Sequence, residues 1–190
     1  VGVKLPANFY VVFFRGTPLF VQILLIHFAL MPSLIHPDNG LLIRGALAVD
    51  IKQHYGAFLS GIVALSLNSG AYISEIFRAG IQSIDKGQTE AARSLGMSYW
   101  QTMRYVVIPQ AFRRMLPALG NEAISLLKDS SLVSAIGLAE LAYAARTVFG
   151  VYSRPWEPYL AISFIYLILT MLFSLGVAYL EKRYGRGDSR

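Results

Sequence analysis

The chain has 190 residues, no cysteine, 55% hydrophobic and 15% charged residues, and a mean hydropathy of +0.49. It is more apolar than an ordinary soluble domain requires and has room for a handful of membrane-spanning helices with short connections. The lack of thiols excludes a disulfide framework and thiolate metal sites. A net charge of +6 suits either nucleic acid or a membrane protein whose cytoplasmic loops collect Lys and Arg, so where the charges lie decides between them.

Four apolar segments follow in chain order. In the first, residues 9–31, the run PLFVQILLIHFAL is short for a span of about 20 residues. Residues 9–14 supply the missing length, which implies a kinked or interrupted helix at Gly16 and Pro18. The second, residues 56–84, is long enough but carries Asn68, Glu75 and Arg78. The third, residues 110–136, is the least apolar and holds Asn121, Glu122, Lys128 and Asp129. The fourth, residues 158–181, carries no charge before its final Glu181 and is the clearest span.

The connections assign the sides. Lys86, Arg93, Arg104, Arg113 and Arg114 against Asp85 and Glu90 lie between the second and third segments, and Lys182, Arg183, Arg186 and Arg190 follow the fourth. The positive-inside tendency puts both regions, with Lys4 and Arg15, in the cytoplasm, and residues 31–55 and 137–157 outside. The expected fold is an all-α, polytopic membrane protein of one domain over residues 1–190. There is no internal repeat, and the Gly/Arg/Ser tail from Gly185 reads as disordered.

The cytoplasmic loop, residues 85–109, has its own geometry. Residues 89–95 (TEAARSL) favour a helix that Gly96 can end in the left-handed conformation. Ser98 followed by Gln101 is a capping-box pattern for a second helix, which Pro109 ends or kinks. Two short helices at a glycine corner fit either DNA reading or docking into a groove on another protein. Tethered to membrane spans by a few residues on each side, such a unit could not lie in a major groove, so nucleic acid is excluded as a partner.

Glu90-Ala91-Ala92, three residues, Gly96, then Val106-Val107-Ile108-Pro109 resembles the E-A-A-x3-G-x9-I-x-L-P loop of permease subunits in bacterial ABC importers, with Val106 and Ile108 replacing Ile and Leu. Phe14-Arg15-Gly16-Thr17-Pro18, residues 69–80 (SGAYISEIFRAG), Gly87-Gln88, Pro109-Gln110-Ala111 and Leu127-Lys128-Asp129-Ser130-Ser131-Leu132 look like the polar amino acid branch of that superfamily. The resemblance implies a type I importer fold with a five-span core, of which the first span is expected upstream of Val1. It also implies a bacterial cytoplasmic (inner) membrane location and pairing with an identical or sister permease. Two ATP-binding cassette subunits would lie below, holding ATP and Mg, and an amino acid-binding protein, separate or fused, outside. Glu90, Ala91, Ala92, Gly96 and Pro109 are then the residues expected to couple to the ATPases.

A charged side chain at mid-bilayer costs about 2.5–3.5 kcal/mol on insertion scales, so Glu75 and Glu122 call for partners or a watery cavity. Asn68, Tyr72 and Glu75 share one helical face, as do Asn121, Ser125 and Lys128, while Glu122, Ser125 and Asp129 share another. A free amino acid needs acidic groups for its ammonium and cationic groups or helix N-termini for its carboxylate. Glu75, Glu122 and Tyr72 are candidates for the ammonium or a polar side chain, Arg78 for the carboxylate, and Asn68, Asn121 and Ser125 for the same cavity. Glu75 and Arg78, at i and i+3, can instead neutralise each other, and Lys128, Asp129 and Ser130 read as gate or structure. His27, His36 and His54 show no ligand spacing, and no metal site is expected. Tyr99 and Trp100 fit either the ATPase contact or an interfacial belt, and Trp156 with Tyr152 and Tyr159 the outer headgroup level.

No nucleophile–base pair or phosphate loop is visible, so ATP hydrolysis is expected on separate subunits and this chain is not expected to be an enzyme. The expected function is the permease subunit of an importer of polar, cationic or amide-bearing, amino acids that alternates access to a central cavity. An ion-coupled secondary amino acid transporter and a membrane scaffold are the alternatives. The first would not need a docking loop, and the second would leave the buried Glu, Asn and Lys without a purpose.

Overall fold

The computed structural model describes residues 4–184. The tail from Gly185, with Arg186 and Arg190, lies outside the described residues. Helices dominate, and among the described residues the β-type pairing is one isolated bridge between Ile35 and Ile43. Among the described residues two helices are long and apolar enough to cross a membrane, and up to four spans result if each of two bent pairs counts as one.

The first expected span is one of those pairs. Helix α1 (Lys4–Gly16) stops at Thr17-Pro18. The chain then resumes as α2 (Leu19–Leu25), a π-helical turn (Ile26–Leu30) and α3 (Met31–Leu34). Leu5–Gly16 and Leu19–Leu34 are bent by 109°, far more than a proline kink in a continuous helix. The reason is local: Pro18 has no N–H to bond the carbonyl of Phe14.

The second span begins earlier than its apolar run. Helix α4 (Ala46–Gln82) has 37 residues, so residues 46–55, expected in the outer loop, are helical. Helix formation tolerates the polar Asp50, Lys52, Gln53 and His54 at an exposed end, which hydropathy alone reads as a loop. What remains of that loop, residues 35–45, folds back through Leu42 N–H and Ile43 N–H donating to the Leu34 carbonyl at 2.9 and 3.1 Å.

After the loop helix α5 (Lys86–Ser94) and α6 (Tyr99–Thr102) comes a second π-helical turn (Met103–Val107), then α7 (Ile108–Asp129). Here Pro109 neither ends the second loop helix nor separates it from the third span: Tyr99–Ile136 runs on as one helical stretch. The wider π turn immediately before the proline removes the clash between its ring and the preceding turn. Ser130–Ile136 continues as a 3-10 helix closed by Gly137 at φ 83°. The next connection contains α8 (Leu141–Tyr152), and α9 (Trp156–Tyr184), with 29 residues, matches the fourth expected span.

The chain divides into two compact units, one of residues up to Ala71 with Ser125–Leu169, the other of Tyr72–Ile124 with the residues from Thr170 on. In the first, Ile23, Ile26, Ala64, Val133 and Ile136 form the buried cluster. A small-residue face of α4, with Ser60, Ala64 and Ala71 all fully buried, lets neighbouring helices approach closely. In the second, Ile84, Val107, Ala111 and Met115 pack the end of α4 against the start of α7.

Candidate functional site

The loop helices meet as their sequence requires. Asp85 accepts from Gly87 N–H at 2.6 Å and caps α5. At the other end Gly96 N–H bonds Arg93 O at 3.0 Å and Met97 N–H bonds Ala92 O at 3.2 Å, with Gly96 at φ 82°, the paired bonds of a glycine-terminated helix. Ser98 and Gln101 cap each other: Ser98 N–H donates to Gln101 Oε1 at 2.8 Å and Gln101 N–H to Ser98 Oγ at 3.4 Å.

The loop has an inner and an outer side. Ala92 is 5% exposed, and α5 packs against the π turn behind it. Glu90, Ala91, Gly96 and Pro109 are exposed, beside Leu95 at 84% and Trp100 at 79%. Tyr99 stands edge-on to Trp100 with ring centroids 5.7 Å apart. These large apolar side chains make the helical corner apolar on its open side. The corner is tied to the spans by Gln110 Nε2 donating to Gln88 Oε1 at 3.5 Å and by Val107 and Ala111 in the buried cluster with Ile84.

The polar residues of α4 divide into two sets. Asn68 is buried, and its Nδ2 donates to the Phe14 carbonyl at 3.1 Å and to Gln22 Oε1 at 3.0 Å. It therefore braces the break in the first span. Further along, Arg78 Nε donates to Glu75 Oε1 at 2.9 Å and Arg78 Nη1 to Gln82 Oε1 at 3.1 Å. Glu75 is half-buried and Arg78 more exposed, so the i, i+3 ion pair anticipated between them forms. Tyr72 is 37% exposed.

On α7, Asn121 is exposed and Glu122 and Ser125 are half-buried. Within the second unit Gly80 abuts Met115 and the Ala111 carbonyl, and the contact extends to Ile76 and Leu119. Antiparallel helices rise equally in opposite directions, so one more turn sets Tyr72 level with Glu122. Glu75 lies about one turn nearer the end of α4 that leads into the residue 85–109 loop. At the C-terminal end of α7 the hydroxyl of Ser130 donates to Leu127 O, Ser131 to Lys128 O and Ser134 to Ser131 O, each at 2.7 Å. Lys128 is exposed and Asp129 half-buried.

The profile of the family described as "Binding-protein-dependent transport system inner membrane component" matches residues 3–186. The chain belongs to this family. The glutamine transport system permease protein of Escherichia coli (strain K12) is 40% identical over 89% of this chain and 70% of its own length. The arginine transport system permease protein of Bacillus subtilis (strain 168) is 38% identical over 96% and 75%. A solved structure, the crystal structure of an amino acid ABC transporter with histidines, shares 44% identity at a TM-score of 0.78, covering 96% of this chain and 77% of that one.

Several residues that organise this transport component were not singled out from its sequence. Gln22, 2% exposed, bonds the break in the first span. Tyr10 donates its hydroxyl to the Leu67 carbonyl at 2.7 Å. Glu140 caps α8 by accepting from Ala142 N–H at 2.8 Å and Tyr143 N–H at 2.7 Å, and also accepts from the Tyr166 hydroxyl at 3.1 Å. For Gln22 a signal existed, an amide four residues after a proline inside an apolar run; for Glu140, rare as a helix cap, there was none. Of the histidines, His27 Nδ1 lies 2.9 Å from Ser60 Oγ, His36 Nδ1 accepts from Asp38 N–H at 3.2 Å, and His54 pairs with Asp50.

Proposed function

We propose that this permease conducts polar L-amino acids, amide-bearing or cationic, inward through the cytoplasmic membrane. Two ATP-binding cassette subunits, which hold ATP and Mg, drive the import through the Glu90–Pro109 loop. A second permease chain, identical or sister, completes the pathway, and an amino acid-binding protein delivers from outside. The glutamine and arginine relatives support the substrate class.

The observation that carries the coupling role is the exposed Gly96 corner with its apolar Leu95 and Trp100, continuous on one side with the helical stretch Tyr99–Ile136. A push on the corner acts on the third span directly and on the end of α4 through the Ile84–Val107–Ala111 cluster. Closure of the ATPases would thereby be converted into a change in the cavity's access.

For the substrate, Glu122 and Tyr72, at one level, are assigned to the ammonium or a polar side chain. Glu75, with Arg78 as its counter-ion, lies nearer the cytoplasm and joins them when that pair opens. Asn121 and Ser125 are assigned to the rim of the same path. Lys128, Asp129 and Ser130 belong to the outer end of α7, where the serine hydroxyls satisfy carbonyls left by the helix end, and are assigned to gate or structure.

The test is ATP-dependent uptake in proteoliposomes holding the full-length permease, its ATPase and its binding protein, with labelled arginine, glutamine and a small neutral amino acid, alongside Glu122→Gln. Arginine or glutamine uptake that falls selectively in the variant supports the assignment. Uptake indifferent to the substitution removes Glu122 from the pathway. Uptake that follows an ion gradient instead of ATP would make the chain a secondary transporter.

A further inference from the structure

The break in the first span is unusual in how it disposes of its backbone groups. A helix interrupted within a membrane frees carbonyls that must find partners, and many transporters present such carbonyls to ions or substrate. Here the loss is specific: the donor that would serve the Phe14 carbonyl is residue 18, a proline. Two side-chain amides replace it. Gln22 Nε2 donates to Phe14 O at 2.8 Å, to Thr17 O at 3.0 Å and to Thr17 Oγ1 at 2.8 Å. Asn68 Nδ2, from α4, donates to the same Phe14 O at 3.1 Å and to Gln22 Oε1 at 3.0 Å. The Thr17 hydroxyl in turn donates to Phe13 O at 2.8 Å.

The amides hold one another as well as the backbone. Gln22 is 2% and Asn68 8% exposed. The cavity beside them, of about 380 Å³, is walled mainly by Phe13, Phe14, Leu25, Ile26 and Leu67, so an amide that lost its partner there would face hydrocarbon. One turn away Tyr10 donates to Leu67 O, and Gly70 admits the Tyr10 hydroxyl where a Cβ would stand 2.7 Å from it. Both sides of the joint, α1 and α2, are thus fastened to one short stretch of α4.

We propose that Gln22 and Asn68 are a positioning pair for transport: an amide clamp that closes the broken first span on itself, fixes its bend against α4, and keeps the freed carbonyls of Phe14 and Thr17 from serving as ligands. Neither amide touches the transported molecule. They act by keeping the first span in step with α4, the helix that leads into the coupling loop. The transport part rests on the importer reading above; the clamp itself does not.

Two measurements on the full-length complex decide it. Nitroxides at positions 9 and 28, where Phe9 and Phe28 are 71% and 67% exposed, report the bend by pulsed electron paramagnetic resonance. One narrow distance distribution is expected, and it should broaden in Gln22→Leu and in Asn68→Leu. In proteoliposomes each variant should lower maximal uptake about tenfold at an unchanged half-saturating concentration of loaded binding protein. The double variant should be no worse than either single, because both serve one joint.

The length-conserving exchange Gln22→Asn with Asn68→Gln should restore a large part of both readouts, and it stands in where a leucine variant fails to insert. An unbroadened distance, losses that multiply in the double variant, a change in half-saturation alone, or an exchange no better than the singles would each overturn the clamp. Absence of uptake by the unsubstituted complex would overturn the importer reading instead, and the distance measurement would still decide the clamp.

Discussion

Replacing Gly96 tests the corner most directly. Its φ is 82°, a region that costs an L-residue about 1–2 kcal/mol, least for Asn and most for a β-branched side chain. A Cβ built there meets nothing within 4 Å, so the strain comes from the backbone alone and leaves the spans untouched. Gly96→Val at about 2 kcal/mol would shift the balance between native and opened corner by about 30-fold, Gly96→Ala by less, and Gly96→Asn least. The assay is amino acid transported per ATP hydrolysed by the reconstituted complex, with membrane insertion checked in parallel. Coupling should fall in the order Asn, Ala, Val while insertion stays at the parental level. Parental coupling in the valine variant would refute the reasoning. Equal loss in all three would also refute it, since the cause would then be exclusion of any Cβ by the docked partner and not the backbone conformation.

Three further outcomes follow from the same geometry. Leu95→Asp or Trp100→Ala, at side chains 84% and 79% exposed, should weaken retention of the ATPase subunits at least about tenfold in a titration without lowering the permease's own melting temperature, because side chains this open contribute little to the chain's own packing. Gly120→Ala should destabilise the detergent-solubilised protein more than Gly80→Ala. The new methyl at 120 runs into Val177 Cγ1 and lies 3.1 Å from its Cβ, and at 80 it runs into Met115 Cγ and lies 2.6 Å from its Sδ; overpacking costs about 1–3 kcal/mol and falls harder on a stiff valine than on a pliant methionine. Glu140→Ala removes two cap bonds and the acceptor of the Tyr166 hydroxyl, and thermal unfolding should register a loss of about 1–2 kcal/mol.

What could be read from the sequence was whatever depends on a few adjacent residues. The capping box at Ser98 and Gln101 and the left-handed Gly96 are local chemistry, and both stand where the sequence puts them. The fourth span was legible because its apolar run has no charge to dilute it. Of the two readings of Pro109, ending or kinking the second loop helix, the first fails because the rule that a proline ends a helix assumes α geometry on both sides, and the π turn at Met103–Val107 changes that geometry without a residue signature. The start of α4 was missed because hydropathy reports lipid contact, whereas the helix continues beyond its apolar run to Ala46. For the candidate site, spacing put Asn68, Tyr72 and Glu75 on one face. It could not show that Asn68's amide is spent on Phe14 and Gln22, a contact spanning 54 and 46 residues.

That division bears on how polar residues inside the membrane should be read. Burying an amide or carboxylate requires a partner, and two kinds of partner leave the same mark on a sequence: another part of the protein, or cargo. In α4 they separate along the helix. At Asn68 the partners are a backbone carbonyl orphaned by a proline and the Gln22 side-chain oxygen, a need fixed by the fold that persists whatever is transported. At Glu75 the partner is Arg78, an exposed side chain that can exchange one contact for another. A group serving transport has to release and remake its contacts in each cycle, so an ion pair between side chains suits the pathway better than an amide bonded to main chain. On α7 the same criterion sets apart the serines that follow Asp129, whose hydroxyls are committed to carbonyls at 2.7 Å, while Glu122 is weighed by its place on a half-buried face level with Tyr72. Substitutions at Gln22, Asn68 and Ser130 should therefore alter transport of arginine, glutamine and a neutral amino acid in the same proportion, whereas those at Glu122 and Tyr72 should change the ratios among them. If the ratios moved with Asn68 and not with Glu122, the criterion would be assigning these groups the wrong way round.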